Sequence, residues 1–260
     1  MTILQLNIQS IQHRLDIHER IYMDNTKKLL DEARNHHIEL TQEQAEQFVK
    51  YYEMLIEKNK VMNLTAITDY DEVIVKHFID SLSIIKVYNV NQALKVIDIG
   101  TGAGFPGIPL KIAFPKLTVT LVDSLNKRVT FLNEVISELG LKDIYAIHGR
   151  AEDLGRDSLH REKYDLCVSR AVSNLSTLSE YCIPFVKVNG MFISYKGINI
   201  KEELDAAKKS INILGGKVKT FDEFSLNETM GRSLILIEKL EKTSMKYPRL
   251  AGKPAKEPLQ

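Results

Sequence analysis

Short apolar runs alternate with amphipathic helical patterns from residue 94 onward, and this alternation most restricts what the chain can fold into. The run LKVIDIG at 94–100 opens the series, and TVTLVD at 118–123 follows it. Strand–helix–strand units of this kind build parallel sheets with right-handed crossovers and helices on both faces. The pattern therefore predicts an α/β fold with a doubly wound, parallel sheet.

Seven strands are predicted in this part of the chain. They are LKVIDIG, TVTLVD, DIYAIHG, YDLCVSR, VNGMFISYKG, KVKTFDEF and SLILIEK. Amphipathic helices are predicted between them over 126–139, 175–186 and 201–214. Because no helical pattern separates the last two strands, we expect a terminal hairpin in which one strand runs antiparallel. The expected sheet is seven-stranded and mostly parallel.

The residues that precede this series have a helical composition. No glycine or proline occurs before Gly100. Thr41 and Gln44 make a capping box at the start of one amphipathic pattern. Two further helical patterns cover about 25–36 and 73–87. We therefore expect an all-helical appendage in front of the sheet.

These patterns divide the chain into four parts. We expect an N-terminal helical region at 23–94 and a sheet domain at 95–241. Residues 1–22 have weak helical character, so we expect either a disordered extension or a start assigned too far upstream. The segment 242–260 holds five basic residues, one acid and three prolines. It is expected to be an extended, poorly ordered tail that either contacts phosphates or is merely solvated.

Composition excludes several classes of protein. The 260 residues carry 35 Lys and Arg against 34 Asp and Glu, a formal net charge of +1, and 44% are hydrophobic. These values are ordinary for a globular protein, and no apolar run approaches the ~18 residues that span a bilayer. Cys167 and Cys182 form neither a disulfide framework nor a metal-ligand spacing. We expect a cytoplasmic protein without a membrane or metal partner.

The segment VIDIGTGAGFPGIPL at 96–110 carries the most chemical information. Starting at Gly102 it satisfies the G-x-G-x-x-G pattern of dinucleotide-binding loops, and Asp123 follows 21 residues later. Two features disfavour a pyrophosphate. Asp98 places a negative charge at the end of the strand, and Pro106 stands where the helix should open with free amides. A nicotinamide oxidoreductase is therefore kept only as an alternative.

The same segment suits S-adenosylmethionine, which carries an ammonium and a sulfonium. Asp98 is expected to attract this positive charge, and Gly100, Gly102 and Gly104 are expected to let the backbone approach the ligand closely. Asp123, at the end of the next strand, is placed to accept hydrogen bonds from ribose hydroxyls. We favour this methyl donor over a dinucleotide or a purely structural glycine turn.

Seven short motifs make the interpretation more specific. They are NLTAI (63–67), KHFIDSL (76–82), IDIGTGAGFPGIPL (97–110), VDSLNKRVTFL (122–132), GRAEDL (149–154), SRAV (169–172) and YKG (195–197). With these motifs the chain resembles the family of ribosomal RNA small subunit methyltransferase G, also called glucose-inhibited division protein B. The resemblance covers about residues 25–255. It implies a Rossmann-like S-adenosylmethionine-dependent methyltransferase fold with an N-terminal helical appendage.

The resemblance also implies an activity, the transfer of a methyl group from S-adenosylmethionine to N7 of a guanine in 16S ribosomal RNA, in the decoding region. The implied partner is 16S ribosomal RNA or the small ribosomal subunit, and we expect a monomer. Because N7 carries a lone pair and no proton, the reaction requires alignment and no general base. A non-catalytic RNA-binding module that keeps the fold is the alternative.

The resemblance assigns roles to individual residues. Those expected around the methyl donor are Gly100, Gly102, Phe105, Asp123, Ala151, Glu152 and Arg170. Those expected to contact RNA are Asn63, His77, Lys127, Arg150 and Arg170. Of these, Asn63, His77 and Arg170 are the expected catalytic residues. Cys167 lies inside the fourth predicted strand and is expected to pack in the core.

Overall fold

The structure is a computed structural model that describes residues 3–170 and 173–259, with side chains for residues 17, 19–170 and 173–259. The last two residues of the SRAV motif, 171 and 172, lie outside the described part. Although the first helix has 33 residues, none of the helices in the described part combines the length and the apolarity of a membrane span.

The region before the sheet is helical, as predicted. Its elements are α1 (Ile3–Asn35), α2 (Gln42–Met62), α3 (Tyr70–Val73), a π-helical turn (Ile74–Ile79), α4 (Asp80–Leu82) and a 3₁₀ turn (Ser83–Lys86). The predicted capping box at the start of α2 is confirmed, because the Gln44 amide donates to the Thr41 hydroxyl and the Gln44 side chain accepts from the Thr41 amide.

The prediction of disorder before residue 23 is wrong for residues 3–22. They continue, without a break, the helix that the sequence predicts at 25–36. The physical reason is that this stretch contains no glycine or proline to interrupt the backbone hydrogen bonds. Its apolar positions are too sparse to form an obvious amphipathic pattern, so periodicity alone missed it.

Seven strands form a single sheet in the order β3-β2-β1-β4-β5-β7-β6. They are β1 (Lys95–Ile99), β2 (Thr118–Asp123), β3 (Ile144–His148), β4 (Tyr164–Ser169), β5 (Val186–Lys196), β6 (Gly216–Asn227) and β7 (Met230–Lys239). Strands β1 to β5 pair in parallel, whereas β7 runs antiparallel to both β5 and β6. The predicted mostly parallel sheet with an antiparallel last strand is confirmed.

Helices cover both faces of this sheet. Those that follow β1 are α5 (Gly107–Ala113), α6 (Asn126–Glu138), α7 (Ala151–Leu154), α8 (Leu175–Cys182), α9 (Lys201–Ile213) and α10 (Lys253–Lys256). The N-terminal helices share one apolar cluster with α5, α6 and the sheet, and α8 and α9 share a second cluster that contains buried Cys167. Cys167 is thus a core residue, as predicted, while the division into domains at 23–94 and 95–241 stays a prediction.

The segment after β7 is packed against the sheet domain. Arg249 forms a forked ion pair with Glu180, a fully buried residue of α8, at 2.7–3.1 Å. Arg161 donates hydrogen bonds to the carbonyls of three residues in this segment, and Pro254 is buried. The prediction of a poorly ordered tail is therefore wrong for 242–259. Arg249 and Pro254 have buried partners that are distant in sequence, so composition could not reveal them.

Candidate functional site

A cavity of about 720 Å³ opens at the carboxyl ends of the parallel strands. Its walls come from the glycine loop after β1, from the ends of β2, β3 and β4, and from α8. Doubly wound sheets bind their ligands in this crevice, and the volume lies within the roughly 300–1,000 Å³ of small-molecule sites.

Nine of the predicted site residues line this cavity. They are His77, Gly100, Gly102, Phe105, Asp123, Arg150, Ala151, Glu152 and Arg170. The other two do not line it. Asn63 is an exposed residue that ends α2 in the left-handed conformation, and the following Leu64 and Thr65 line the cavity in its place. Lys127 is exposed, and its neighbour Arg128 lines the cavity.

The glycines of the loop serve two different purposes. Gly100 and Gly102 line the cavity at φ 72° and 63°, and a Cβ built on Gly102 would meet no atom within 4 Å. Gly104 does not line the cavity, and a Cβ there would lie 2.7 Å from the hydroxyl of Tyr51. That hydroxyl donates to the carbonyl of Ala103. Gly104 thus lets the loop pack on α2, and a role of Gly104 towards a ligand stays a prediction.

Asp98 is fully buried at the end of β1 and is absent from the cavity wall. Its Oδ2 accepts hydrogen bonds from the Thr101 hydroxyl at 2.7 Å and from the Gly107 amide at 2.9 Å. Among the described residues its Oδ1 has no hydrogen-bond partner, and burial raises the pKa of this carboxyl to about 7. The expected attraction between Asp98 and the charge of a methyl donor stays a prediction. In the structure, Asp98 ties the loop to the start of α5.

This arrangement also bears on the choice of ligand. The amide of Gly107 at the start of α5 is the kind of donor that a pyrophosphate would need, and it already donates to Asp98. A pyrophosphate at this position would have to compete with the buried Asp98 carboxyl group for the Gly107 amide. The geometry thus disfavours the dinucleotide alternative for a reason that the sequence had suggested.

Asp123 joins the glycine loop to the end of β2. Its Oδ2 accepts from the Gly102 amide at 3.0 Å and from Arg128 at 3.2 Å, and its Oδ1 accepts from the Leu125 amide at 2.9 Å. The carboxylate is almost completely buried but forms part of the cavity wall. Its position agrees with the sequence analysis, while its role towards a ribose stays a prediction.

His77, Phe105 and Arg170 form a stacked cluster on another part of the wall. The His77 ring lies on the Phe105 ring with centroids 4.6 Å apart, and the Arg170 guanidinium lies 5.0 Å from the Phe105 centroid. Arg170 donates to the carbonyl of Lys76 in the π-helical turn and to Asp80 at 2.8 Å. Cation–π contacts of this kind hold a guanidinium in one orientation.

Asp80 is the buried centre from which this cluster is held. It is fully buried, and its Oδ2 pairs with Arg170 while its Oδ1 accepts from Nε of Arg232 at 2.9 Å. Arg232 lies on β7, so one carboxylate connects the helical region, the end of β4 and the antiparallel strand. The charged head of Arg170 is consequently fixed before any substrate arrives.

The hydrogen bonds of His77 define its protonation. Its Nδ1 lies 3.3 Å from Arg170 Nη2, and its Nε2 lies 2.8 Å from the Thr65 hydroxyl. Because a guanidinium only donates, Nδ1 accepts and Nε2 carries the proton. Burial, followed by the charge of Arg170, lowers the pKa of His77 to about 3. The ring is therefore neutral at physiological pH and a poor base.

A second cavity of about 450 Å³ shares His77 and Arg170 with the first. Its remaining lining residues are Ile67, Lys76, Thr229, Met230 and Arg232. Three of its seven lining residues are basic Lys or Arg side chains, which suits an anionic group. The cluster of His77 and Arg170 stands between the two spaces.

Sequence reasoning missed several residues of the first cavity. Thr65 and Arg128 lie inside quoted motifs, so the signal was present but was assigned to their neighbours Asn63 and Lys127. Tyr181 on α8 and Gly252 in the C-terminal segment carry no such signal. They reach the cavity only through the packing of distant parts of the chain.

Comparison with known proteins shows which family the chain matches. The family described as rRNA small subunit methyltransferase G matches residues 44–234. A protein named ribosomal RNA small subunit methyltransferase G from Lachnoclostridium phytofermentans is 55% identical over 223 residues, which cover 85% of this chain and 92% of that protein. A protein of the same name from Desulforamulus reducens is 53% identical over 239 residues, covering 91% of this chain and 99% of that protein.

Solved structures resemble the fold at much lower identity. M. jannaschii TYW2 in complex with AdoMet has a TM-score of 0.50 and 16% identity, covering 63% of this chain and 76% of that chain. The YcgJ protein from Bacillus subtilis has a TM-score of 0.50 and 15% identity, covering 64% and 100% respectively. These similarities support the fold alone. The family match and the two relatives above 50% identity go further, and the chain belongs to the family of rRNA small subunit methyltransferase G.

Proposed function

We propose that this protein transfers a methyl group from S-adenosylmethionine to N7 of a guanine in 16S ribosomal RNA, in the decoding region of the small subunit. The observation that carries the proposal is one cavity in which the glycine loop, Asp123 and Glu152 meet the stacked cluster of His77, Phe105 and Arg170. Membership of the family of rRNA small subunit methyltransferase G supports it. The protein acts as a monomer in the cytoplasm.

The residues of the cavity wall fit the methyl donor. Gly102 leaves open space where a side chain would stand, so its backbone permits close approach. The carboxylates of Asp123 and Glu152 accept hydrogen bonds from the ribose and the adenine, and Ile99 and Leu178 offer apolar contact. When bound, the donor supplies an electrophilic methyl group on its sulfonium.

The residues next to the acceptor orient it without removing a proton. Guanine N7 is nucleophilic as it stands, so a base is not required, and His77 is too weakly basic to act as one. The guanidinium of Arg170, fixed by Asp80, holds a phosphate or the carboxylate of the donor. It does not stabilise the methylated guanine, because that base becomes cationic. Alignment is therefore the main contribution of the chain.

The ribosomal RNA reaches this site over a basic rim. Lys127 and Arg150 are exposed, and Asn63 stands exposed at the end of α2, where it can contact a guanine edge. The second cavity, with Lys76 and Arg232, continues this surface beyond the cluster. The target guanine leaves its stack to reach the methyl group, as bases do in other nucleic-acid methyltransferases.

The proposed activity is tested by mass spectrometry of nucleosides from 16S ribosomal RNA. Cells that lack the protein should lose one 7-methylguanosine, and a plasmid copy of the wild type should restore it. A complete 7-methylguanosine content in the deletion strain would contradict the activity. Calorimetry with S-adenosylhomocysteine tests the alternative, since a non-catalytic RNA-binding module would show no heat of binding.

Gly102→Val is expected to abolish donor binding while the fold is retained. The new side chain would occupy the open space in the cavity, and its positive φ of 63° adds a backbone cost of about 1–3 kcal/mol. Gly140→Val is a matched control, because Gly140 also has φ 63° and no atom within 4 Å of its Cβ, yet lies outside the cavity wall. We expect at least a tenfold loss of S-adenosylhomocysteine affinity in the first variant only. Equal affinities in the two variants would rule out this placement of the donor.

The rate of methyl transfer should not depend on ionisation of His77 between pH 6 and 8. Its pKa of about 3 keeps the ring neutral throughout this range. Because the ring is neutral, His77→Asn should not change the shape of the pH profile of the single-turnover rate, although it should lower that rate at saturating RNA. His148→Asn, at an exposed histidine, should change neither the rate nor the profile. An ionisation near pH 6.5 in the wild type that disappears in His77→Asn would refute the assignment.

Lys127→Ala and Arg150→Ala should weaken binding of the ribosomal RNA in a salt-dependent way. Each lost phosphate contact is expected to reduce the slope of log affinity against log salt by about 0.7–0.9. Lys116→Ala is the control, because Lys116 is exposed just before β2, at the amino ends of the strands and thus opposite to the cavity. Filter binding over a range of salt concentrations measures the three slopes. If all three variants keep the wild-type slope, the basic rim is not the RNA-binding surface.

A further inference from the structure

We propose that the C-terminal segment, residues 242–259, forms part of the donor-binding site and that Arg249 and Glu180 are positioning residues that hold it there. The inference rests on the proposed function, because it assumes that the methyl donor occupies the cavity at the carboxyl ends of the strands. The segment follows the last strand of the sheet, and it passes back over α7 and α8 to reach the cavity.

Two residues of the C-terminal segment line the cavity. They are Gly252 and Ala255, which share the wall with Glu152 and Tyr181. Gly252 has a left-handed φ of 81°, and a Cβ built on it would meet no atom within 4 Å. As at Gly102, the backbone itself is therefore presented to the cavity. The segment supplies a wall that the sheet and its loops leave open.

The amide of Gly252 also orients a predicted donor-binding residue. It donates to Oε1 of Glu152 at 2.8 Å, and Glu152 is almost fully buried. Among the described residues, this one hydrogen bond reaches the carboxylate, on Oε1, so Oε2 is left for a ligand. With Oε1 held in this way, the unoccupied Oε2 can accept a hydrogen bond from an exocyclic amine of a purine. The C-terminal segment thus fixes the direction in which Glu152 can accept.

An ion pair between Arg249 and buried Glu180 also holds the Gly252 turn in place. Nε and Nη2 of Arg249 donate to both carboxylate oxygens of Glu180, and the backbone amide of Arg249 donates to Glu180 Oε1 at 2.7 Å. Glu180 is fully buried and directly precedes Tyr181 of the cavity wall. Forked arginine–carboxylate pairs are strong and restrict geometry. Because Arg249 is three residues from Gly252, its position determines where the turn lies.

Further contacts close the segment beyond this turn. Nη2 of Arg249 donates to the carbonyl of Glu257 at 2.7 Å, and the Thr177 hydroxyl donates to the carbonyl of Pro254 at 3.1 Å. The first bond joins the two ends of the segment, and the second holds α10, which carries Ala255, against α8. If docking of the segment favours the donor, linkage requires that the donor favours docking by the same factor. Donor affinity and order in the C-terminal segment should therefore rise and fall together.

Substitution of Arg249 separates this role from a purely structural one. Arg249→Ala should raise the dissociation constant of S-adenosylhomocysteine and the KM for the donor at least tenfold, with kcat at saturating donor within about twofold of the wild type. Arg249→Lys keeps the charge and should recover part of the affinity. Lys253→Ala, an exposed position in the same segment, is the matched control and should leave both constants unchanged. A folded Arg249→Ala protein with wild-type donor affinity would overturn the proposal.

Hydrogen exchange on the unaltered chain provides a test that does not depend on the folding of a variant. Saturating S-adenosylhomocysteine should slow exchange of the amides in 249–256, Gly252 included, at least fivefold. The amides of α9, which do not line the cavity, should be unaffected. Unchanged exchange in 249–256 while calorimetry records binding would also overturn the inference. Absence of binding to the wild type would instead contradict the proposed function.

Discussion

The carboxyl group of Asp98 is the contact on which the geometry of the cavity depends. It stands at the end of β1, fully buried, and joins the Thr101 hydroxyl to the amide that opens α5. Together with Asp123 and Tyr51, which bond to Gly102 and Ala103, it holds the loop so that Gly100 and Gly102 face the cavity while Gly104 faces α2. Burial raises its pKa to about 7, which means that the fold tolerates a costly group in order to hold a loop.

Two more buried carboxylates act in the same manner. Asp80 holds Arg170 and Arg232, and Glu180 holds Arg249. Removing one partner of such a pair typically costs about 3–5 kcal/mol, because a buried charge is left uncompensated. Each carboxylate thus orients a neighbour and does not itself face the reaction. This division suits a methyl transfer to a nitrogen that already has a free lone pair, where orientation matters more than proton transfer.

The sequence predicted the sheet well because its signal is local. Apolar runs mark the strands, amphipathic patterns mark α6 and α9, and the missing helix before β7 marks the antiparallel strand. The motifs likewise placed Gly102, Asp123 and Arg170 at the cavity, since each follows a strand and parallel strands end at one edge. The motif around Lys127 did not reveal that its neighbour Arg128 lines the cavity, because a motif does not say which neighbour turns inward.

What the sequence by itself determined is the order of strands and helices, the glycine loop and the membership of a family, because periodicity and short motifs are properties of neighbouring residues. Only the tertiary structure decided that Asp98 joins the glycine loop to the start of α5 and that the His77 ring is neutral. Both properties depend on burial and on partners elsewhere in the chain. It also turned the basic C-terminal residues from an expected tail into a wall of the cavity. The physical reason is that Arg249 bonds to Glu180, 69 residues away in sequence, and Gly252 bonds to Glu152, 100 residues away. No local sequence pattern carries information over such distances.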